Sequence, residues 1–363
     1  MTPLTRIAKL KTMKNKWYIL AFLLCHLTSK AQEINFDALT TYFSITDSLR
    51  QNIPLSKNTW RTFLAHKGVQ LYISNNALDE KTMEVYRKNL EYVYMPKYDS
   101  LLNARLQKRE QNFILWVFNN YKNQELELKN YYKHIEANKS AYLDSIYKNC
   151  YAFLPRKMWK KANETTLYFI PLMNDAVAEE KDIVFTLYCA YHYDKLKYGA
   201  LGGHEIHHVL RKTKHTRSEK DQYLYEALTQ VLNEGSADLM DKKYTASTEC
   251  PEDLAYYEYL MESAKSSLTL LETAISEHIQ NVKQIDKTDL PQIVPMSGHI
   301  PGCFMAAVIE RNGFKKELMK NIDDPIAFVL LYNKSARIDA EKPFVFSDQT
   351  IEYIQKIEQQ NNR

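Results

Sequence analysis

The sequence predicts a predominantly helical α+β protein. Only 8 of its 363 residues are glycine, too few for a sandwich or barrel rich in tight turns. Apolar residues recur at helical spacing through most of the first half, whereas two runs after residue 165 have the composition of short strands. Hydrophobic residues make up 45% and charged residues 25% of the chain, values that exclude a disordered chain and a polytopic membrane protein.

The first 31 residues have the order of a secretory signal peptide. Basic residues precede an apolar run from Trp17 to Leu27, and small residues stand at positions −3 and −1 of a cut before Gln32. The run is much shorter than the roughly 20 residues of a membrane-spanning helix, which leaves an N-terminal anchor as the alternative. Met13 is an alternative start. We expect no lipid anchor at Cys25, because large apolar residues precede it.

An exported protein, periplasmic or extracellular, is therefore expected. Without the leader, 42 Lys and Arg stand against 44 Asp and Glu, a net charge of −2. This balance does not indicate nucleic acid or an anionic membrane as a partner, and we expect no stable membrane insertion after leader removal. Export permits disulfides, so free buried thiols and one disulfide bond are both open for the four remaining cysteines, Cys150, Cys189, Cys250 and Cys303.

The mature chain is predicted to have three parts: a helical lobe (residues 32–162), a catalytic domain (163–345) and a C-terminal helix and tail (346–363). In the lobe, apolar residues at helical spacing predict a helix from Asp79 to Lys97 and a long one that begins at Asp99. Aromatic stripes of this kind are typical of a packed core. The lobe contains no motif that indicates chemistry.

The catalytic domain begins with the strand-like runs. Residues 166–170 predict a strand that ends at a proline, and Ile183–Tyr188 predicts a second one, followed by an aromatic-rich loop. Two long helices are expected, from about Glu219 to Lys243 and from Pro251 to about Val282. The three prolines between Asp286 and Gly302 predict a loop.

The segment before the first of these helices contains the pattern H-E-x-x-H, formed by His204, Glu205 and His208. Residues four apart lie on the same face of a helix, so the two imidazoles can share one zinc at about 2.0–2.1 Å. Glu205 projects toward the same edge and is placed to take a proton from the water that the metal activates. In a chain with 10 histidines the pattern arises by chance in about one to three of a hundred random orders, so it needs support.

A second acidic motif, Asn233-Glu234-Gly235-Ser236-Ala237-Asp238, supplies that support. A catalytic zinc held by two histidines needs a third protein ligand and keeps one position for water. Glu234, 26 residues after His208, can be that ligand. Asp238 lies one turn further on the same face and can accept a hydrogen bond from the non-metal nitrogen of a ligand histidine. The alternative is an exposed acidic helix face.

Together, H-E-x-x-H and N-E-x-x-x-D resemble the gluzincin zinc peptidases, to which thermolysin belongs. The resemblance implies a zincin-like catalytic half with a short sheet and two metal-ligand helices. The ligands that it implies for one Zn²⁺ per chain are His204, His208 and Glu234. It gives Glu205 the role of general base and Asp238 that of the residue that orients a ligand histidine. Residues 165–340 also resemble a bacterial family of zinc-dependent peptidases of unassigned role.

Other histidines lie near these motifs. His299 is the candidate donor to the oxyanion, although a tyrosine is an alternative. His207 is expected on the side of the motif helix, with a His204/His207 metal pair as the alternative. His192 is interpreted as a loop histidine, with a place at the border of the cleft as the alternative.

Backbone features complete the prediction. In related peptidases an extended substrate pairs with the edge strand beside the metal helix, and Ile183–Tyr188 resembles that strand. Four of the 8 glycines flank the proposed ligands: Gly199, Gly202, Gly203 and Gly235. A glycine inside a helix costs roughly 1 kcal/mol relative to alanine, which favours closely approaching helices, although a helix start near Gly202 explains the first three equally well.

The sequence thus predicts a secreted zinc-dependent peptidase that acts on peptides or proteins. Two other classes remain open at this point. One is an exported binding or scaffold protein with a structural or degenerate zinc site, and the other is a zinc hydrolase of a non-peptide amide or ester. The number of protein ligands distinguishes structural from catalytic sites, because structural zinc has four protein ligands and no free coordination position.

Overall fold

The computed structural model describes residues 32–179 and 181–361. The predicted signal peptide, residues 1–31, lies outside the described residues, so the leader and the export that it implies stay predictions. Within the described residues, helices surround one small mixed sheet of four strands. The predicted class, a predominantly helical α+β fold, is confirmed.

Helices form the first part of the chain: α1 (Asp37–Arg50), α2 (Lys57–Leu64), α3 (Lys67–Asn75), α4 (Glu80–Tyr94), α5 (Asp99–Leu106), α6 (Phe113–Asn123), α7 (Glu125–Ala137) and α8 (Lys139–Tyr151). Asp79 caps α4 by accepting a 2.7 Å hydrogen bond from the amide of Thr82. The single long helix predicted from Asp99 is wrong. It is divided into α5 and α6, because the Asn112 side chain donates to the carbonyls of Arg105 and Lys108 and ends the first segment.

The sheet consists of β1 (Ile34–Asn35), β2 (Leu167–Ile170), β3 (Ala176–Glu179) and β4 (Asp182–Thr186), in the order β1-β2-β4-β3. β1 pairs parallel with β2 and β2 parallel with β4, whereas β3 pairs antiparallel with β4. β1 lies at the start of the helical lobe, before its first helix, so the sheet itself connects the lobe to the second half of the chain.

The predicted edge strand is wrong. β4 lies between β2 and β3, and all five of its residues are buried. A strand that is buried on both faces has a nearly continuous apolar sequence, which is why Ile183–Tyr188 could be recognised as a strand. The edge strand on this side of the sheet is β3, whose short Ala-Val-Ala-Glu sequence carries little signal. The run also ends at Thr186, where a helix replaces the predicted aromatic loop.

The second half continues as helices: α9 (Leu187–Leu196), α10 (Ala200–Leu210), α11 (Gln222–Asp241), α12 (Tyr256–Ile279), α13 (Leu290–Ile293), α14 (His299–Arg311), α15 (Lys315–Lys320), α16 (Pro325–Ile338) and α17 (Asp348–Asn361). The loop predicted up to Gly302 is wrong, since α14 already begins at His299. Pro301 is compatible with this start because the first-turn amides of a helix have no partner within it.

Glycines let the helices of the second half approach one another closely. At Gly235 on α11, an added Cβ would lie 2.2 Å from the carbonyl oxygen of Gly302 on α14. On α10, a Cβ at Gly202 would lie 2.6 Å from the Ile146 side chain on α8. The close approach predicted from the glycines is therefore present, with a different neighbour for each of the two motif helices.

One hydrophobic core extends from Ile34 to Ile357 and includes residues of both halves. All four cysteines of the described chain are free, and Cys150, Cys189 and Cys303 are buried.

Within the described residues, no single helix has the length and apolar composition of a membrane span. One bent pair of helical segments, 287–293 and 296–311, meets both criteria together, with a bend of 73°.

Candidate metal centre

Helices α10 and α11 bring three predicted ligands together. Oε2 of Glu234 lies 3.5 Å from Nε2 of His204 and 3.3 Å from Nε2 of His208. All three donor atoms lie within 4.8 Å of one another. Two ligands that bind one zinc at about 2.0–2.1 Å with tetrahedral angles are roughly 3.3 Å apart. The three side chains therefore fit a single zinc ion as they stand.

The carboxylate that contacts His204 is Asp241. Its Oδ1 lies 3.0 Å from Nδ1 of His204, whereas the nearest oxygen of Asp238 lies 3.8 Å away. Asp241 also pairs with Lys242, whose Nζ lies 3.0 Å from Oδ2. A carboxylate at Nδ1 keeps the proton on that nitrogen and leaves Nε2 free for a metal. For His204, the structure thus corrects the orienting role given to Asp238. Asp241 is two helical turns after Glu234, so extending the acidic motif by one turn would have found it.

His208 has a different partner. Its Nδ1 lies 3.3 Å from Oδ1 of Asn233, the first residue of the acidic motif, to which sequence reasoning gave no role. Arg211 donates to the same oxygen and, through Nη1, to the carbonyl of Ile322 at 3.1 Å. An amide that receives a hydrogen bond from a guanidinium is held in one orientation. Each of the two proposed ligand histidines is therefore held in its orientation by a side-chain oxygen at Nδ1, the nitrogen that does not face the metal position.

The charges around the donors favour a bound cation. Burial lowers the pKa of His204, but Asp241 and Glu234 outweigh it and hold this pKa well above its usual value. Burial raises the pKa of Glu234, yet His208 and His204 hold it well below its usual value. The carboxylates that retain a proton on His204 are the same groups that would stabilise a divalent ion. Zinc binding at this site is consequently coupled to proton release.

Glu205 has the environment that a general base needs. It is only 7% exposed and lines the same cleft as the three donors. Among the described residues it has no hydrogen-bond or ion-pair partner, so its carboxylate is not committed to another group. It also lies outside the set of donor atoms that surround the metal position.

His299 and Asp238 form a pair at the opening of α14. Nδ1 of His299 lies 3.0 Å and 3.1 Å from the two oxygens of Asp238, and its Nε2 lies 3.4 Å from Oε2 of Glu234. His299 is not in the set of donors within 4.8 Å of one another. Gly298, with φ of 98°, turns the chain into α14 directly against the backbone of α11, where a Cβ would lie 2.6 Å from Gln230. This turn places His299 beside the donors.

These side chains surround a cleft of about 580 Å³. The edge strand β3 forms one wall through Ala176, Val177 and Ala178. Tyr193, Tyr256 and Leu260 give the cleft apolar and aromatic surface. A cleft of this size accepts several residues of an extended peptide.

Two further histidines lie outside the centre. His207 is completely buried, neither of its nitrogens has a partner among the described residues, and burial holds its pKa well below the usual value. It does not belong to the donor set, so the alternative His204/His207 pair is wrong. His192 is buried on α9 rather than in a loop, and it does not line the cleft.

Comparison with protein families gives a match over residues 60–341 to the family described as "Putative zinc dependent peptidase (DUF5700)". The match covers more than half of the chain. The chain belongs to this family. Comparisons with curated proteins and with solved structures gave no significant match.

The family is one of zinc-dependent peptidases, so the protein is a zinc metallopeptidase, and zinc is the metal that the three donors fit. The match begins at Trp60 and therefore includes most of the helical lobe, where sequence reasoning found no motif. The lobe contributes to the centre through packing: Ile146 and Asn149 of α8 lie against the glycines that precede His204.

Proposed function

We propose that the protein is an exported peptidase in which His204, His208 and Glu234 hold one zinc ion and Glu205 is the general base. The single observation that carries the proposal is that one cleft combines three donors at zinc spacing with an adjacent carboxylate that has no partner among the described residues. Three protein ligands leave one coordination position for water, which distinguishes a catalytic from a structural site.

When bound, zinc supplies Lewis acidity for the scissile carbonyl and lowers the pKa of the attacking water. Glu205 accepts the proton from that water and then donates it to the nitrogen of the leaving amine. Low exposure keeps this carboxylate away from bulk water, so that it interacts with the few molecules admitted to the cleft. Both proton transfers use the same oxygen atoms of one side chain.

His299 is proposed to stabilise the charge that develops on the carbonyl oxygen. Asp238 accepts the hydrogen bond from Nδ1, which directs Nε2 toward the cleft. Asp238 and Glu234 also raise the pKa of His299 against the opposing effect of burial. Such a histidine can donate to an oxyanion without moving. In this arrangement Asp238 acts through His299 and is a positioning residue.

The edge strand β3 is proposed to bind the substrate. One side of β3 pairs with β4, and its residues Ala176, Val177 and Ala178 line the cleft. An extended peptide can add to such an edge through backbone hydrogen bonds, which depend little on side-chain identity. Peptides and proteins outside the cytoplasm are the substrates that the leader indicates.

Substitution of Glu205 by glutamine tests the proposal. Glu205→Gln keeps the size and hydrogen-bonding capacity of the side chain but removes the base, so zinc content and thermal stability should stay close to those of the wild type. Hydrolysis of a mixed peptide library should fall by roughly 10²–10⁴-fold. Glu226→Gln is the matched control, since Glu226 lies on α11 outside the cleft.

Equal cleavage by the wild type and Glu205→Gln would contradict the role of Glu205. If the zinc-loaded wild type cleaves no peptide but hydrolyses a small amide or ester, the reaction stands and the substrate class is wrong. If it hydrolyses neither, the binding-protein alternative replaces the peptidase.

A further inference from the structure

Asp175 is a carboxylate of the cleft that the proposed mechanism does not use. It directly precedes β3 and lines the same cleft as Glu205 and the metal donors. Its carbonyl accepts hydrogen bonds from the amide of Thr186 at 3.0 Å and from the Thr186 hydroxyl at 2.7 Å. The backbone at this position is therefore fixed to the neighbouring strand.

Among the other described residues, one side chain contacts the Asp175 carboxylate. Tyr72 of α3 donates to Oδ1 at 2.9 Å. Oδ2 accepts no hydrogen bond from the side chain or backbone of another described residue, and no described lysine, arginine or histidine lies within ion-pair distance. Oδ1 is thus committed to Tyr72, and the carboxylate can accept a further hydrogen bond from a group in the cleft.

The charge of Asp175 is uncompensated within its surroundings. Burial raises its pKa to about 6, against the effect of the bond from Tyr72, and the nearby Glu205 carboxylate adds to the rise. Lys242 also lines the cleft, but it is paired with Asp241 at 3.0 Å. A half-buried carboxylate without a cation is costly, so a positively charged ligand would be stabilised here.

Aromatic rings in the cleft also favour a positively charged ligand. Tyr256 and Tyr193 line the same cleft as Asp175. The face of a tyrosine ring attracts a cation that is held next to it. An ammonium or guanidinium group in this cleft can therefore interact both with the carboxylate and with a ring.

We propose that Asp175 selects substrates with a positive charge, by binding the α-ammonium group or a Lys or Arg side chain of a peptide paired with β3. The proposal rests on the proposed peptidase function and narrows its substrate class. A peptide aligned with Ala176–Ala178 passes Asp175 at the start of the strand, while its scissile bond faces Glu205. A charge at that end of the peptide can reach Oδ2 without competing for the metal.

The test uses matched peptides from the cleaved library: free or acetylated at the amino terminus, and with lysine or norleucine before the scissile bond. The wild type should prefer the charged members. Asp175→Asn should lower kcat/KM for these by about 10–100-fold, the effect expected for losing a charge-assisted hydrogen bond, and should leave the neutral members nearly unchanged. Tyr72→Phe, which keeps the carboxylate and removes its partner, should give a smaller loss of the same preference.

Asp182→Asn is the matched control. Asp182 belongs to the same sheet and accepts a 3.0 Å bond from the amide of Thr166, but it does not line the cleft. It should not change the charge preference. If acetylation of the peptide lowers kcat/KM, the α-ammonium group is the ligand of Asp175. If replacement of lysine by norleucine lowers it, the lysine side chain is the ligand. An equal effect of Asp175→Asn on charged and neutral peptides, or no effect, overturns the inference.

Equilibrium binding of the same peptides to the zinc-loaded Glu205→Gln protein separates this inference from the peptidase proposal. A charge preference in binding that disappears with Asp175→Asn supports the inference even if the wild type cleaves nothing. Cleavage without any charge preference supports the peptidase and overturns the role of Asp175. If no peptide binds and none is cleaved, both are overturned.

Discussion

Replacing Gly235 by alanine should separate the two helices that carry the acidic motif and His299. The new Cβ would lie 2.2 Å from the carbonyl oxygen and 2.4 Å from the carbonyl carbon of Gly302. A carbon–oxygen contact normally needs about 3.3–3.6 Å, so α11 and α14 must move apart by roughly 1 Å. The clash is with backbone, which a rotamer change cannot relieve.

The cost can be worked out from this geometry. Overpacking of a close-packed interior costs about 1–3 kcal/mol, and a backbone clash belongs at the upper end. Alanine returns up to about 1 kcal/mol through helix propensity and a less flexible unfolded chain. A net loss of about 2 kcal/mol remains, which for a chain of this size lowers Tm by roughly 3 °C. Asp238 lies on α11 and His299 opens α14, so their 3.0 Å contact lengthens and turnover falls with it.

Thermal unfolding of the mature protein, followed by circular dichroism, measures the effect. Gly302→Ala should reproduce it, because its Cβ would lie 2.2 Å from the carbonyl oxygen of Val231. Gly202→Ala should cost less, because its Cβ would lie 2.6 Å from Cγ1 and Cδ1 of Ile146, a side chain that can shift, rather than against backbone. Gly235→Ala with wild-type Tm and turnover would refute the argument that this contact sets the spacing of the helices.

Three predictions concern the residues behind the proposed ligands. Asp241→Asn should weaken zinc affinity about 10–100-fold, measured by competition with a chelator, because the orientation of His204 depends on it; unchanged affinity would return Asp241 to a purely structural role. His299→Ala should retain zinc and lower kcat by about 10²–10³-fold, and a kinetically silent variant would transfer oxyanion binding to another group. Asp238→Asn should keep zinc and lower kcat in the same direction but less, whereas a loss confined to zinc affinity would restore the role first assigned to it.

The ligands could be placed from the sequence because helix geometry fixes them. Positions four apart share a face in any α-helix, so His204 and His208 meet one metal whatever surrounds them. Glu234 followed from the need for a third ligand. The partners of these ligands depend on how α10 and α11 are rotated and packed, which spacing alone does not determine. That is why Asp238 was assigned to a ligand histidine, whereas Asp241 contacts His204 and Asp238 contacts His299.

The sheet shows a similar limit. A continuous run of apolar residues marks a strand that is buried on both faces. The inner strand β4 was therefore recognised from the sequence, while the edge strand β3 was not. β1, with two residues, has no periodicity to detect, although it joins the lobe to the sheet. Asp175 could not be identified from the sequence, because only the fold brings Tyr72 to one of its oxygens and places the residue in the wall of the cleft.

The most direct test of the central claim is the coordination of zinc in the mature protein, determined by metal analysis and a crystal structure with anomalous scattering at the zinc edge. The account predicts one zinc per chain, bound at about 2.0–2.2 Å by His204, His208 and Glu234, with the remaining position open to water. A zinc closed by His299 as a fourth protein ligand would contradict it. So would a zinc on the other side of His204, between Asp238 and Asp241, where a second group of donors lies within 4.8 Å.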